Sequence, residues 1–314
     1  MTIERTSISG GRQPDCGLIL CVVEQETPSA LKFPFIDWTS ADDGLESERY
    51  QALSSFMLVA LVCHSGMLLG LDSKLGNLAT TVFFPAFCLS ALVGLCSPRA
   101  KRHCVVASFG ITSCWLFAAT PHFANHLLLE WSVLLFLIVC RNEPDLALKA
   151  LRWLIFIVLF HSGFQKLVVG QYFAGEFLAY NTATLANFTD FMGLFLSEGE
   201  FARITAMAGR NGTGPYGVKD MLFVAMSNAV WIGEMGVAIL LVVPSTRRIA
   251  VFAALALIAS IELGAREAIF GFLFTSLILA FYPRRNGLAL WPGLATLQVA
   301  AMLAFHFLPE LRLN

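Results

Sequence analysis

Charge is scarce in this chain of 314 residues: Asp, Glu, Lys and Arg together make up 14%, where soluble globular domains carry roughly a quarter. That shortage excludes an ordinary soluble surface. The 21 Lys and Arg are balanced by 22 Asp and Glu, a net charge of −1, so no basic excess exists to hold nucleic acid, and no nucleic-acid partner is expected. Eight cysteines are present, but none forms a CxxC pair or a zinc-type spacing, and Cys16-x4-Cys21 is too loose to count. They read as small apolar residues within apolar runs. The alternating ten-residue segments of a membrane β-barrel are missing. The glycine-rich run 209–217 follows no strand and lacks the lysine and hydroxyl of a phosphate-binding loop.

What the chain has instead is apolar length. Hydrophobic residues make up 57%, with 27 Phe, and long apolar runs recur over most of the sequence. This patterning implies an all-α, polytopic integral membrane helical bundle of about nine transmembrane helices. The expected spans are 51–70, 78–97, 104–120, 121–140, 148–168, 220–243, 248–264, 267–282 and 288–308. Several fall short of the roughly 20 residues a bilayer asks for, which implies tilt or re-entry. Thr120-Pro121 divides the third from the fourth as a cap and first-turn proline.

Residues 1–49 are polar and mixed, with Asp42, Asp43, Glu46 and Glu48 close together. No basic start, apolar core and cleavage site follow one another there, so this segment is expected to be a cytoplasmic tail ahead of a transmembrane domain at 50–314. Loop charge sets the orientation. Arg99, Lys101 and Arg102 follow span two, Arg141 and Lys149 span four, Arg247 and Arg248 span six, Arg284 and Arg285 span eight. These alternate loops share one side, and the positive-inside rule puts the N-terminus in the cytoplasm. The expected location is the cell membrane or, in a eukaryote, the endoplasmic reticulum. Residues 169–219 then form a long non-cytoplasmic segment, rich in aromatic residues, expected to act as a lid loop.

Ionisable residues at membrane depth are costly and point to function. Lys166 ends the apolar stretch of span five, within His161-Ser162-Gly163-Phe164-Gln165-Lys166-Leu167. Burial would free its amine to accept a proton; the plainer alternatives are a snorkelling side chain or an ion pair with Glu130. His122, His126 and Glu130 are spaced four apart, so a helix starting at Pro121 puts them on one stripe. Such a stripe either chelates a metal or hydrogen-bonds to neighbouring helices. No other ligand set accompanies it, and no metal is expected. His126 and Lys166, on consecutive antiparallel spans, are expected to line one outward-facing pocket. Asn125 stands beside them. His161 does not share the Lys166 face, and His64 reads as a satisfied core histidine. Glu234 lies mid-span and must be protonated, paired across helices or set in a wet cavity. Glu262 is four residues before Arg266, the spacing of a local ion pair.

Ser162-Gly163-Phe164-Gln165-Lys166-Leu167, with Gly170-Gln171-Tyr172-Phe173-Ala174-Gly175 after it, resembles the Gly-x-x-Lys-Leu…Trp…Gly pattern of the vitamin K-dependent gamma-carboxylase family, part of the wider HTTM transmembrane group. Tyr172 or Phe173 stands where that family has Trp. Ala124-Asn125-His126-Leu127-Leu128-Leu129 resembles its Asn-His-x-Tyr-Leu segment, and the likeness extends over roughly 50–285. The resemblance implies a lyase-type membrane enzyme. Lys166 would match the catalytic lysine that deprotonates a reduced, vitamin K-like quinone, and His126 the histidine near the substrate carboxylate. It also implies membrane lipid as a partner and a secreted peptide or protein as substrate. An accessory protein for maturing or exporting a secreted peptide, and a small transporter, are the alternatives. A transporter is disfavoured by the lack of an inverted repeat or broken-helix pair.

Overall fold

The computed structural model describes residues 44–68, 77–120, 125–211, 215–265, 268–282, 290–297 and 299–300. Among them there is no strand. The helices are α1 (Glu46–Met67), α2 (Phe84–Cys96, entered through a π-helical turn at Ala79–Phe83), α3 (Pro98–Ala119), α4 (Asn125–Val139) and α5 (Pro144–Val169). Then come α6 (Glu176–Thr184), α7 (Ala186–Met192), α8 (Glu198–Asn211), α9 (Met221–Val242), α10 (Arg247–Ala265) and α11 (Ala268–Leu279). Residues 290–297 are also helical.

Local chemistry sets several boundaries. Prolines open α2, α3 and α5, where the missing N–H has no intrahelical partner to lose. Asp220 caps α9 by accepting from the backbone N–H of Leu222 and Phe223 at 2.9 and 3.2 Å. Gly170, at φ 74°, closes α5, its N–H donating to the Lys166 carbonyl; a left-handed residue is the usual stop for a helix, and glycine takes it without strain. Three helices, α1, α5 and α9, are long and apolar enough to cross a membrane. At 26 residues, α5 is about 39 Å long, against a hydrocarbon core of about 30 Å. Shorter apolar helices cover Thr81–Cys96, Asn125–Val139 and Ile269–Leu279.

The helix α1 is central, packing against α2, α3, α4, α5 and α11. The core around it is aromatic and aliphatic: Leu53, Met57, Phe87, Trp115, Phe272 and Phe274 are essentially inaccessible, and Phe56 stacks on Phe272 with ring centroids 4.3 Å apart. The outside is apolar as well. Phe117 is 84% exposed, with Leu89, Leu92, Ile249 and Phe252 each more than half exposed. That surface suits acyl chains rather than water.

Polar groups gather at one end, and they join helix termini. Arg152, fully buried, donates to the Ala280 carbonyl through Nε and Nη2 at 2.9 and 2.7 Å and clasps the Glu46 carboxylate with Nη1 and Nη2, both at 2.9 Å. Arg49 donates to the Tyr282 carbonyl at 2.9 Å. Arg247 donates to the Leu241 and Val242 carbonyls at the end of α9. Each guanidinium satisfies carbonyls a helix end leaves open and lies at the negative pole of the helix dipole.

The segment expected as a lid loop is helical. Helices α6, α7 and α8 enclose a small core of their own with the start of α9: Leu178, Met192, Leu196, Ile204, Tyr216 and Phe223. Hydrogen bonds lace it together. Arg203 donates to both Glu200 oxygens at 2.8 and 2.7 Å and to the Tyr216 carbonyl at 2.6 Å. Glu176 accepts from the Tyr216 and Gly217 N–H groups at 2.6 and 3.0 Å. The Arg203 guanidinium holds the Glu200 carboxyl down at about 2, from an ordinary 4.5.

Candidate functional site

The closest helix crossing near the expected site is that of α5 and α9. A Cβ on Gly163 would lie 2.6 Å from Met235 Cγ and 2.8 Å from the Trp231 carbonyl oxygen, so only glycine lets the two backbones approach this far. The helices run antiparallel: Gly163 meets Met235, while Tyr172 and Phe173, beyond the end of α5, meet Ser227 and Asn228. One turn past Gly163, Lys166 therefore faces Glu234. Its Nζ donates to Glu234 Oε1 at 2.8 Å, to Oε2 at 2.7 Å and to Ser162 Oγ at 2.7 Å. All three ammonium protons have acceptors. The Glu234 side chain is 6% exposed and that of Lys166 19%, so the pair is sunk into the bundle with the lysine on its open side.

The segment after Gly170 folds over this pair. Lys166 Nζ lies 5.7 Å from the centre of the Tyr172 ring, within range of cation–π attraction. Tyr172 is buried and stacks on Phe177 at 4.7 Å. Ser227 Oγ donates to its carbonyl at 2.8 Å, and Asn228 Nδ2 donates to the Phe173 carbonyl at 3.1 Å. Burial, reinforced by the Glu234 charge, pushes the Tyr172 phenol above its ordinary value, so the ring stays neutral beside the ion pair.

A second polar group joins α1 to α4. His64 Nδ1 and Glu130 Oε2 are 2.7 Å apart, and His64 Nε2 and His126 Nε2 are 3.1 Å apart. The His64 ring also packs on Trp115 at 4.5 Å. Glu130 is fully buried, and its Oε1 has no hydrogen-bond partner among the described residues. With Glu130 ionised, His64 Nδ1–H donates to the carboxylate, its bare Nε2 accepts from His126 Nε2–H, and His126 Nδ1 is left as an acceptor. Uptake of a proton at His126 Nδ1, with each of the other two protons shifted along its bond, gives the opposite arrangement with Glu130 protonated. The three side chains can therefore pass a proton from a half-buried imidazole to a buried carboxyl.

The structure thus divides the residues expected to act together. Lys166 pairs with Glu234, not Glu130. His126 pairs with His64, and Glu130 also pairs with His64. No hydrogen bond or ion pair links Lys166 to His126 among the described residues. The helix carrying His126 begins at Asn125, which is exposed; Pro121 and His122 lie outside the described residues. His161 is exposed on α5, away from the pair. Glu262, half-buried on α10, lies against Gly271 of α11, where a Cβ would fall 1.7 Å from its Oε1. Its expected partner, Arg266, lies outside the described residues. Ser162 and Gly163 belong to the site without having been singled out. Their signal was the small-small pair one turn before a buried lysine, which permits close backbone approach. Among the described residues no group of three His, Cys, Asp or Glu side chains is arranged to hold a metal ion.

No protein-family model, no curated protein and no solved structure matches this chain.

Proposed function

We propose that this chain is a multi-pass membrane protein of about nine spans, N-terminus in the cytoplasm, whose outer half carries out proton abstraction at the Lys166–Glu234 pair on a lipophilic reduced quinone. The reading rests on one observation above the others: an ion pair with contacts of 2.7 and 2.8 Å, open to the surroundings only on the lysine side, at the end of an apolar helix. Such a pair stays neutral overall whether the shared proton is on nitrogen or oxygen, so a proton can move between Lys166 and Glu234, freeing the amine, without leaving a net charge in a low dielectric. The resemblance of Ser162–Leu167 to the gamma-carboxylase lysine segment supports the same role.

The residues present fit a quinone. Phe164, Val168, Val169 and Phe173 are exposed around the end of α5, an apolar surface for a ring and an isoprenoid tail, with one polar pair to meet a hydroxyl. When bound, a reduced quinone supplies an acidic hydroxyl and, with oxygen, the redox chemistry. The chain's own residues do the rest. Lys166 accepts the hydroxyl proton at Nζ once Glu234 has taken the ammonium proton. Ser162 Oγ keeps Nζ in place, and Tyr172 screens the pair from water. His126, with His64 and Glu130 behind it, would stand near the carboxylate of a peptide substrate and hydrogen-bond to it.

A second reading is an accessory protein in the maturation or export of a secreted peptide. What favours it is the saturation of Lys166: with every ammonium proton accepted, the pair also serves as a pin between α5 and α9. Oxidation of a reduced quinone by purified protein in lipid, with wild type and Lys166→Ala compared, separates the two. Oxygen-dependent turnover lost in the variant supports the enzyme. Background oxidation in both leaves the pin.

A further inference from the structure

At the end of the bundle where cationic loops gather, α1, α3 and α4 line an open cavity of about 100 Å³. Lys101, Arg102 and Arg141 line it together with Tyr50, Gln51 and Ser54, and no carboxylate does. The wall is built rather than incidental. The Tyr50 hydroxyl donates to the Leu137 carbonyl and ties α1 to α4. Lys101 Nζ donates to Ser55 Oγ at 2.8 Å, a neutral acceptor that leaves its charge uncompensated. Arg102 and Arg141 act electrostatically on the same Tyr50 hydroxyl, and neither has an ion-pair partner among the described residues.

Lys101 is half-buried, Arg102 and Arg141 are open to solvent, and no carboxylate among the lining residues compensates their charge. Lys101 and Arg102 stand in or next to the first turn of α3, which has no acidic residue, so they add positive charge at the positive pole of the helix. Arg141 brings a third cation from the end of α4. A cavity of this kind is satisfied by an anion with several acceptor oxygens, the chemistry that Arg and Lys meet best in phosphate. Its remaining wall is apolar, Val105, Val106, Leu137 and Ile138, and Val106 is 43% exposed. That wall leads from the cations out onto the bundle's apolar surface.

The geometry points to a binding site for a phosphate-bearing anion, in which Lys101, Arg102 and Arg141 hold the phosphate and the Val105–Val106 wall takes apolar substituents. An anionic phospholipid headgroup and free phosphate share this chemistry; basic pockets between membrane helices bind such headgroups elsewhere. The site is independent of the Lys166–Glu234 pair, and its failure leaves that reading untouched.

The test uses the full chain in a neutral detergent, with thermal unfolding followed on adding phosphatidylglycerol, phosphatidylcholine or inorganic phosphate. Arg102→Gln/Arg141→Gln removes two of the cations. Arg248→Gln, an exposed cation on another loop, controls for overall charge, and Arg141→Gln alone serves if the double variant fails to fold. Phosphatidylglycerol is expected to raise the midpoint of wild type and Arg248→Gln and to lose at least half of that shift in the cavity variants, with phosphatidylcholine inert. A matching shift from inorganic phosphate, equally lost in the cavity variants, supports the site with the free anion as its source. An equal shift in all proteins, or none with either anion, overturns it.

Discussion

Lys166 Nζ and Glu234 Oε2 lie 2.7 Å apart, on two helices whose approach depends on the missing side chain of Gly163. The ion pair and the glycine are one device. Charge complementarity holds the crossing, and the absence of a Cβ makes the crossing possible.

Gly163→Ala is therefore expected to destabilise the bundle by about 1–3 kcal/mol, the usual cost of overpacking a rigid contact, because the new methyl meets a backbone carbonyl as well as Met235. Thermal unfolding in detergent checks this. A midpoint equal to wild type would show that α5 and α9 do not cross at this residue.

Removing one partner of the pair should cost more than removing both. Glu234→Ala leaves the buried lysine without its counter-charge, a loss of roughly 3–5 kcal/mol for buried pairs. Lys166→Ala/Glu234→Ala should recover most of it. Additive losses in a double-mutant cycle would contradict the pairing.

The second group predicts a tautomer. With Glu130 ionised, His64 carries its proton on Nδ1 and His126 on Nε2, which nitrogen-15 spectra of histidine-labelled protein resolve. Glu130→Leu removes the acceptor of the His64 Nδ1 proton and is expected to release His64 from that form. An unchanged His64 signal would mean Glu130 does not set it.

How much of this was visible in the sequence depends on the range of the interaction. Apolar runs and proline starts are local, and among the described residues helices lie along those runs. Glu234 could be recognised as needing a partner across helices, because a lone acid in an apolar run has few other fates. The partner could not be named, since pairing over 68 residues leaves no local pattern. His64 read correctly as a satisfied histidine, but its bond to Glu130 depends on how α1 meets α4. Helices α6 and α7 are only 9 and 7 residues long, and the small core they form with α8 needs all three, so the sequence reads as a loop there.

The cap formed by those helices should loosen in acid. Glu200 is held at about 2 by Arg203, below its ordinary 4.5. The stabilisation is thus fully present above about pH 4.5 and lost as pH falls toward 2. Hydrogen exchange across 176–220 should rise over that window, and Glu200→Gln should flatten the response. An unchanged profile in the variant would place the acid sensitivity elsewhere.

The proton-transfer role of Lys166 is tested most directly by oxygen uptake in nanodiscs loaded with a reduced quinone, comparing wild type with Lys166→Arg. Arginine keeps the charge and a partner for Glu234 but cannot act as a base. Uptake is expected to fall by about 100-fold or more, the usual contribution of a general base, while the fold persists. Uptake in Lys166→Arg equal to that of wild type would contradict the proposed role and leave the lysine as a pin between α5 and α9.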